Sequence, residues 1–321
     1  MRRRTMIKWA GAGTMLLGAG KMLPAYASSP GQQPLNRSGA ALGVQLYTVR
    51  DSLQADVRGT LAAIAAIGYQ EVELFGLGGE ALDEKPLFGL TAKEFAAALE
   101  DVGLRAPMAH IQGNAMNIAE IAEVVQPVGV RQLVVPLAPE FVSFEGGQFR
   151  MIGVTGRSQL DAIAERLNRQ GELAKANGMG FGYHNHQMEF ADLGDQNAFD
   201  YLFSQADAEL VKIELDIGWA VFAGVDPLAV LNRYAGRIIA VHLKDHAPPR
   251  SPASSGESEP ASTAAQLVEP GTGPTDFAPI LAALDETGVA HRFVEVDVSP
   301  DPINAITRGF GYLSELYNGS P

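Results

Sequence analysis

Four of the six histidines, His110, His184, His186 and His242, stand at the ends of short apolar runs that also carry carboxylates. The fifth such run continues Tyr183-His184-Asn185-His186-Gln187-Met188-Glu189, the sixth ends Glu214-Leu215-Asp216, the seventh reads Val241-His242-Leu243-Lys244-Asp245 and the eighth Val294-Glu295-Val296-Asp297. Side chains at i and i+2 of a strand share a face. His184 with His186, His242 with Lys244, and Glu295 with Asp297 therefore each point one way. Imidazoles and carboxylates that converge in an apolar interior stay desolvated or repel one another unless something neutralises them. A divalent cation does so. Oxygen and nitrogen ligands without sulfur suit Mn²⁺, Mg²⁺, Co²⁺ or Zn²⁺, with Mn²⁺ first among these expectations. The chain has no cysteine, which excludes disulfides, thiolate metal sites and cysteine nucleophiles.

The elements that must position these residues alternate. Strands are expected at Val44–Tyr47, Glu71–Phe75, Arg105–His110, Gln132–Pro136, Gly180–His184, Val211–Asp216, Ile238–Lys244 and Arg292–Asp297, each short, apolar and partly β-branched or aromatic. Helical patterns lie between them at Val57–Ile67, Thr91–Val102, Ile118–Gln126, Ser158–Ala176, Pro227–Tyr234 and Asp276–Glu286. Thr91 with Glu94 fits a capping box, Asp226-Pro227 an N-cap followed by Pro, and Gly68, Gly103, Gly178 and Gly288 fit C-terminal caps. Eight strands alternating with helices predict an α/β fold, a (β/α)8 TIM barrel over residues 42–321, whose reactive residues collect at the C-terminal strand ends. An open doubly wound sheet is the weaker expectation, because no G-x-G-x-x-G turn follows the first strand. The Ser-, Pro- and Glu-rich stretch 247–270 after the seventh strand is expected to be a mobile loop on the catalytic face.

The N-terminus reads as an export signal over 1–27. Arg2-Arg3-Arg4 and Lys8 precede an apolar run from Trp9 to Gly20, then Lys21 and Ala25-Tyr26-Ala27. The run is shorter than the ~20 apolar residues of a spanning helix, so no stable membrane insertion is expected after cleavage. The Arg3-Arg4 pair resembles a twin-arginine signal, which makes the twin-arginine export machinery a partner and the periplasm or exterior the destination. Residues 28–41 read as a flexible tether. The whole chain carries a net charge of −13, and removing this basic segment makes it more acidic. Nucleic acid is therefore not an expected partner.

Gly43-Val44-Gln45-Leu46-Tyr47, Tyr183-His184-Asn185-His186 with Glu189-Phe190, Leu215-Asp216, Val241-His242-Leu243-Lys244-Asp245 and Gly271-x-Gly273 before Asp276-Phe277 together resemble the sugar phosphate isomerase/epimerase family of xylose-isomerase-like barrels. The likeness covers nearly the whole chain after Ala41. It implies one divalent cation held by Glu, Asp, His and Glu from strands five to eight, matched here by Asp216, His242 and Glu295. The fifth strand departs from the pattern. Its ligand could be Glu189, His184 or His186, and Glu189 is favoured because it keeps the charge of the usual set.

The resemblance implies proton transfer at a carbon beside a carbonyl, through an enediolate that a Lewis-acid metal stabilises. In epimerases of the group two ligand glutamates move the proton. Here Glu295 faces imidazoles, so Glu295, His184 and His186 are the expected proton-transfer groups, with Lys244 steadying a developing oxyanion. Tyr47, Glu73 and His110 are expected hydroxyl binders, and Trp219 a surface for a sugar face.

The expected activity is that of a metal-dependent isomerase or epimerase on a sugar, keto-sugar or related polyol. A lyase or dehydratase on a 3-keto-glycoside or inosose is the alternative, and a non-catalytic periplasmic sugar-binding protein the second alternative. A metal-dependent nuclease on the same barrel is disfavoured by the charge. The substrate partner is a small sugar, and a homo-oligomer is compatible with the sequence.

Overall fold

The computed structural model describes residues 41–79, 82–145, 148–247 and 266–319. Eight parallel strands form its centre: β1 (Ala41–Gln45), β2 (Glu71–Leu77), β3 (Arg105–Ile111), β4 (Gln132–Val135), β5 (Gly180–His184), β6 (Lys212–Asp216), β7 (Ile238–Leu243) and β8 (His291–Val294). Each pairs with the next, and β8 pairs back onto β1 to close the barrel. Helices pack around the outside through apolar stripes such as Ile118, Ile121, Ala122 and Val125. Their ends follow the local chemistry. Thr91 and Glu94 form a reciprocal capping box, Asp226 and Asp276 accept from backbone N–H groups two residues on, and Gly103 and Gly288 take left-handed backbone at helix C-termini.

Two apolar regions hold the barrel. The larger lies between the sheet and the helices. The smaller fills the lumen with Met108, Val134, Ala240 and Phe293. Met108, Ala240 and Phe293 lie two residues before His110, His242 and Glu295. The two-residue strand period therefore stacks a polar layer directly on an apolar plug. At the N-terminal end of the barrel, Glu71 pairs with Arg105 at 3.2 Å and with His291 at 2.8 Å.

Several boundaries differ from the sequence expectation. β1 starts at Ala41 and stops at Gln45, because the Gln45 side chain accepts from the Tyr47 N–H at 3.1 Å and turns Leu46–Val49 into a 3-10 helix. Tyr47 is thus on a turn, and Ala41, expected at the end of the tether, pairs with His291. β8 ends at Val294, so Glu295 and Asp297 follow the strand. Helices Ala198–Gln205, Ile217–Phe222 and Pro302–Gly319 join those expected. A hairpin of Val142–Glu145 and Gln148–Met151 follows β4.

Part of the expected loop 247–270 is built into the fold. Asp245–His246 pairs with Leu267–Val268, and buried Glu269 accepts from Arg308 at 2.6 Å. The stretch 248–265 between them, the export signal 1–27 and residues 28–40 of the tether lie outside the described residues. Among the described residues no helix is long and apolar enough to cross a membrane.

Candidate metal centre and active site

The C-terminal end of the lumen holds two layers of ionisable side chains. The outer layer starts from Asp216, the last residue of β6. Its Oδ1 accepts the Trp219 N–H at 2.9 Å and so caps the helix Ile217–Phe222. Asn185 holds its backbone: Asn185 Oδ1 accepts from Asp216 N at 3.0 Å. Asp216 Oδ2 is left facing the lumen, 3.4 Å from His184 Nε2 and 2.9 Å from Lys244 Nζ. Among the described residues it accepts no well-aligned hydrogen bond despite the nearby ammonium. Glu295 Oε2 lies 2.6 Å from His242 Nδ1 and 2.7 Å from Lys244 Nζ. Asp297 lies 2.9 Å from Lys244 on the other side.

Lys244 reaches this position because residue 218 is glycine. A Cβ there would stand 2.3 Å from Lys244 Cγ. The ammonium is buried among three carboxylates. Burial opposes its charge, but Asp216, Asp297 and Glu295 hold its pKa well above the usual lysine range.

The inner layer lies one strand period deeper. Glu214 is two residues before Asp216 on β6. Its Oε2 is 2.6 Å from His110 Nε2, 3.1 Å from His184 Nδ1 and 3.4 Å from His242 Nε2. Glu73 Oε2 is 2.7 Å from His242 Nε2 and accepts from Gln45 Nε2 at 2.7 Å. The second oxygens, Glu73 Oε1 and Glu214 Oε1, are buried without a hydrogen-bond partner among the described residues.

The charges follow from these contacts. Burial and the Glu214 carboxylate raise the Glu73 pKa. For Glu214 burial acts the other way from its partners, and the His242 and His110 imidazoles win, keeping it well below the usual range. For His184, burial and His242 oppose protonation, yet Asp216 and Glu214 raise it to about 9. His186 shows the opposite result. Burial, then His184 and Lys244, push it down to about 3, so it is neutral.

One donor atom each from His184, Asp216, His242 and Glu295 lie within 4.8 Å of one another, as do atoms from His110, His184, Glu214 and His242. The outer set offers two carboxylates and two imidazoles, a donor set suited to a divalent cation. The unpartnered Asp216 Oδ2 faces it, and His184 and His242 each turn a ring nitrogen toward the same point. The residues present therefore fit a metal.

Asp216, His242 and Glu295 are brought together. Glu189, the favoured fifth-strand ligand, is not brought to them. Its Oε1 accepts from Tyr183 Oη at 2.5 Å and its Oε2 from the His186 N–H at 2.9 Å. With both oxygens taken it braces the turn, and His184 fills its place in the donor set. One further expectation changes. Glu73 and His110, taken as hydroxyl binders, lie in the buried inner layer. His186, taken as a proton-transfer group, is held neutral by burial and by the neighbouring His184 and Lys244. Trp219 is where a substrate ring could meet it, 5.4 Å from the His186 ring and 5.8 Å from Lys244 Nζ. The Trp219 indole N–H and His186 Nδ1 are both buried without partners among the described residues. Tyr47 stands at the rim beneath the Arg50 guanidinium.

Sequence reasoning left Glu214 and Asp297 without roles. The signal was present, since each lies two residues from an assigned ligand on the same face. Asp245, within the same run as His242 and Lys244, is structural. It accepts from Gly273 and Thr275 N–H groups at 2.9 and 3.2 Å.

A family model described as xylose isomerase-like TIM barrel matches residues 61–316. The chain belongs to this family. As a xylose isomerase-like barrel it is 35% identical over 158 residues to an inosose dehydratase of Geobacillus thermodenitrificans, a match covering 47% of this chain and 50% of that one. The chain thus matches about half the length of such curated relatives. A sugar phosphate isomerase/epimerase structure from Parabacteroides distasonis superposes with a TM-score of 0.67 at 22% identity, covering 85% of this chain and 97% of the other. An L-ribulose 3-epimerase structure gives 0.61 at 18% identity over 87% and 95%. At these identities the two structures speak for the shared barrel alone.

Proposed function

We propose that this barrel is a divalent-metal-dependent lyase that removes water from a cyclic keto-polyol of the inosose or 3-keto-glycoside class. The observation that carries the reading is the outer set of His184, Asp216, His242 and Glu295 with Lys244 set among its carboxylates. The partial likeness to inosose dehydratases supports elimination over epimerisation, and so does the histidine standing where the epimerases of the group carry their second glutamate. Mn²⁺ is the cation we expect; bound there, it would polarise the substrate carbonyl as a Lewis acid.

The protein's own groups supply the rest. Burial works against ionisation of Glu295, but Lys244 and His242 keep its carboxyl well below the usual range. It is therefore a carboxylate able to accept the proton on the carbon beside the carbonyl. The proton that Glu295 takes up passes to the hydroxyl one position further, whose carbon–oxygen bond breaks so that it leaves as water, while the Lys244 ammonium steadies the developing oxyanion. His186, neutral, and the Trp219 indole N–H offer an acceptor and a donor for substrate hydroxyls. The carboxylates gathered at the site, Asp216, Glu295 and Asp297, disfavour an anionic substrate. Export by the twin-arginine route belongs to the same proposal; replacing Arg3 and Arg4 with Lys should leave precursor in the cytoplasm, and unchanged export would refute it.

The test is a panel of inososes, 3-keto-glycosides and keto-sugars, incubated with Mn²⁺ in deuterated water and followed by NMR and ultraviolet absorbance. Loss of a hydroxyl with a new conjugated carbonyl band is expected. Deuterium exchange without loss of water would make the protein an isomerase instead. Binding without exchange would make it a sugar-binding protein.

A further inference from the structure

The imidazoles of His184 and His242 each stand between the two layers. His184 turns Nε2 to Asp216 and Nδ1 to Glu214. His242 turns Nδ1 to Glu295 and Nε2 to Glu73 and Glu214. A neutral imidazole can give a metal only the nitrogen that lacks a proton, and which nitrogen that is depends on the hydrogen bond made by the other. For either ring to ligate from the outer layer, its inner nitrogen must keep the proton. An inner acceptor is what each ring has.

We infer that Glu214 and Glu73 are positioning residues that hold the protons of His184 on Nδ1 and of His242 on Nε2, so that His184 Nε2 and His242 Nδ1 face the cation. The inference rests on the metal reading above and assigns roles to residues outside the ligand set.

Four features support it beyond the distances. First, the inner carboxylates sit on rigid strands and are fully buried, so they cannot rotate away to water. Second, each is itself anchored, Glu73 by the Gln45 amide and Glu214 by His110. Third, the apolar plug of Met108, Val134, Ala240 and Phe293 beneath them supplies no competing donor or acceptor side chain. Fourth, the two rings are steeply inclined, 65° apart with centroids at 4.5 Å. Each ring turns one nitrogen to an outer carboxylate and the other to an inner one. Two buried carboxylates in one lumen are costly, and holding both ligand tautomers gives a physical reason for their place.

The experiment uses the full folded protein and Mn²⁺ alone, with dissociation constants read from the electron paramagnetic resonance signal of free Mn²⁺. Wild type, Glu214→Gln, His184→Ala and the double variant form a cycle. Glu214→Gln should weaken Mn²⁺ binding by on the order of 10–100-fold. In the double variant it should add little to the loss caused by His184→Ala, because Glu214 acts largely through that ring. A residue that only supported the fold would give losses that add. Wild-type affinity in Glu214→Gln, or simple additivity in the cycle, overturns the inference. Should Glu214→Gln fail to fold, Glu73→Gln with His242→Ala tests the other half by the same criteria. Asp216→Ala separates the two claims. Retained Mn²⁺ there refutes the metal site itself, whereas loss of Mn²⁺ there with full affinity in Glu214→Gln refutes only the positioning role.

Discussion

Glu71 and Glu73 stand two residues apart on β2, face the same way and are both buried, yet they belong to opposite kinds of structure. Glu71, at the N-terminal end of the barrel, has a cationic or imidazole partner for each oxygen, Arg105 on Oε1 and His291 on Oε2. Glu73, at the C-terminal end, shares one oxygen among Gln45, His110 and His242 and leaves the other without a partner. Glu214 and Asp216 likewise keep an unpartnered oxygen among the described residues. At the N-terminal end no carboxylate oxygen is left unpartnered among the described residues, and the unpartnered atoms there are Gln132 Oε1 and Arg292 Nε. The other end holds three carboxylates that each keep an unpartnered oxygen, an arrangement that calls for a further partner such as a cation or ordered water. Charge in a barrel therefore does not mark a site by itself; carboxylates that cluster with oxygens still unspent point to one.

The comparison is broken most severely at Asp216. Asp216→Ala should reduce metal content to background in elemental analysis and abolish turnover. It also removes a helix cap, so the melting curve should show a loss of about 1 kcal/mol with the barrel still folded. Lys244→Met should lower turnover by on the order of 10²–10³-fold, as for the loss of a charge-stabilising donor, while metal content persists. Metal loss in that variant would show that the ammonium holds the carboxylates in place and takes no part in the reaction.

A third prediction concerns pH. His184 is raised to about 9 in the metal-free fold from an unfolded value of about 6.5. The folded state then binds the proton more tightly, and the stability this contributes is complete below pH ~6.5 and is lost as pH rises through ~9. Metal-free protein should therefore melt at progressively lower temperature between pH 6.5 and 9. His184→Gln should flatten that slope, and an unchanged slope would place the titration elsewhere. The smallest effect is expected at the N-terminal end. Glu71→Gln should leave metal content and turnover as they are and lower only the melting temperature, since the carboxylate it removes is buried between Arg105 and His291. A fall in activity there would erase the distinction between the two ends.

The barrel was legible in the sequence because each level agreed: short apolar strands, helices with caps at both ends, and polar residues crowded at one set of strand ends. That Asp216, His242 and Glu295 lie together was legible because the family resemblance matched them at successive strand ends. Glu189 was misplaced because the sequence does not show that the chain after His186 turns into the short helix Met188–Phe190, where the Tyr183 hydroxyl and a backbone N–H claim the carboxylate. The inner layer was hidden because depth in a lumen follows from strand register. Glu214 and Asp216 look equivalent in the sequence, and only the pairing of Asp216 with His242 and of Glu214 with Ala240 puts them in different layers.

The carboxylate of Asp216 has two ends with different duties, one holding the backbone N–H of Trp219 and one turned to the lumen. Trp219 is one of two tryptophans in the chain, and its indole lies beside the His186 ring and the Lys244 ammonium. Whatever pulls on Asp216 Oδ2 is thus mechanically tied to a fluorophore whose emission responds to nearby charge. The protein carries its own optical gauge, and titrating metal into it should be visible as a change in intrinsic fluorescence without any label.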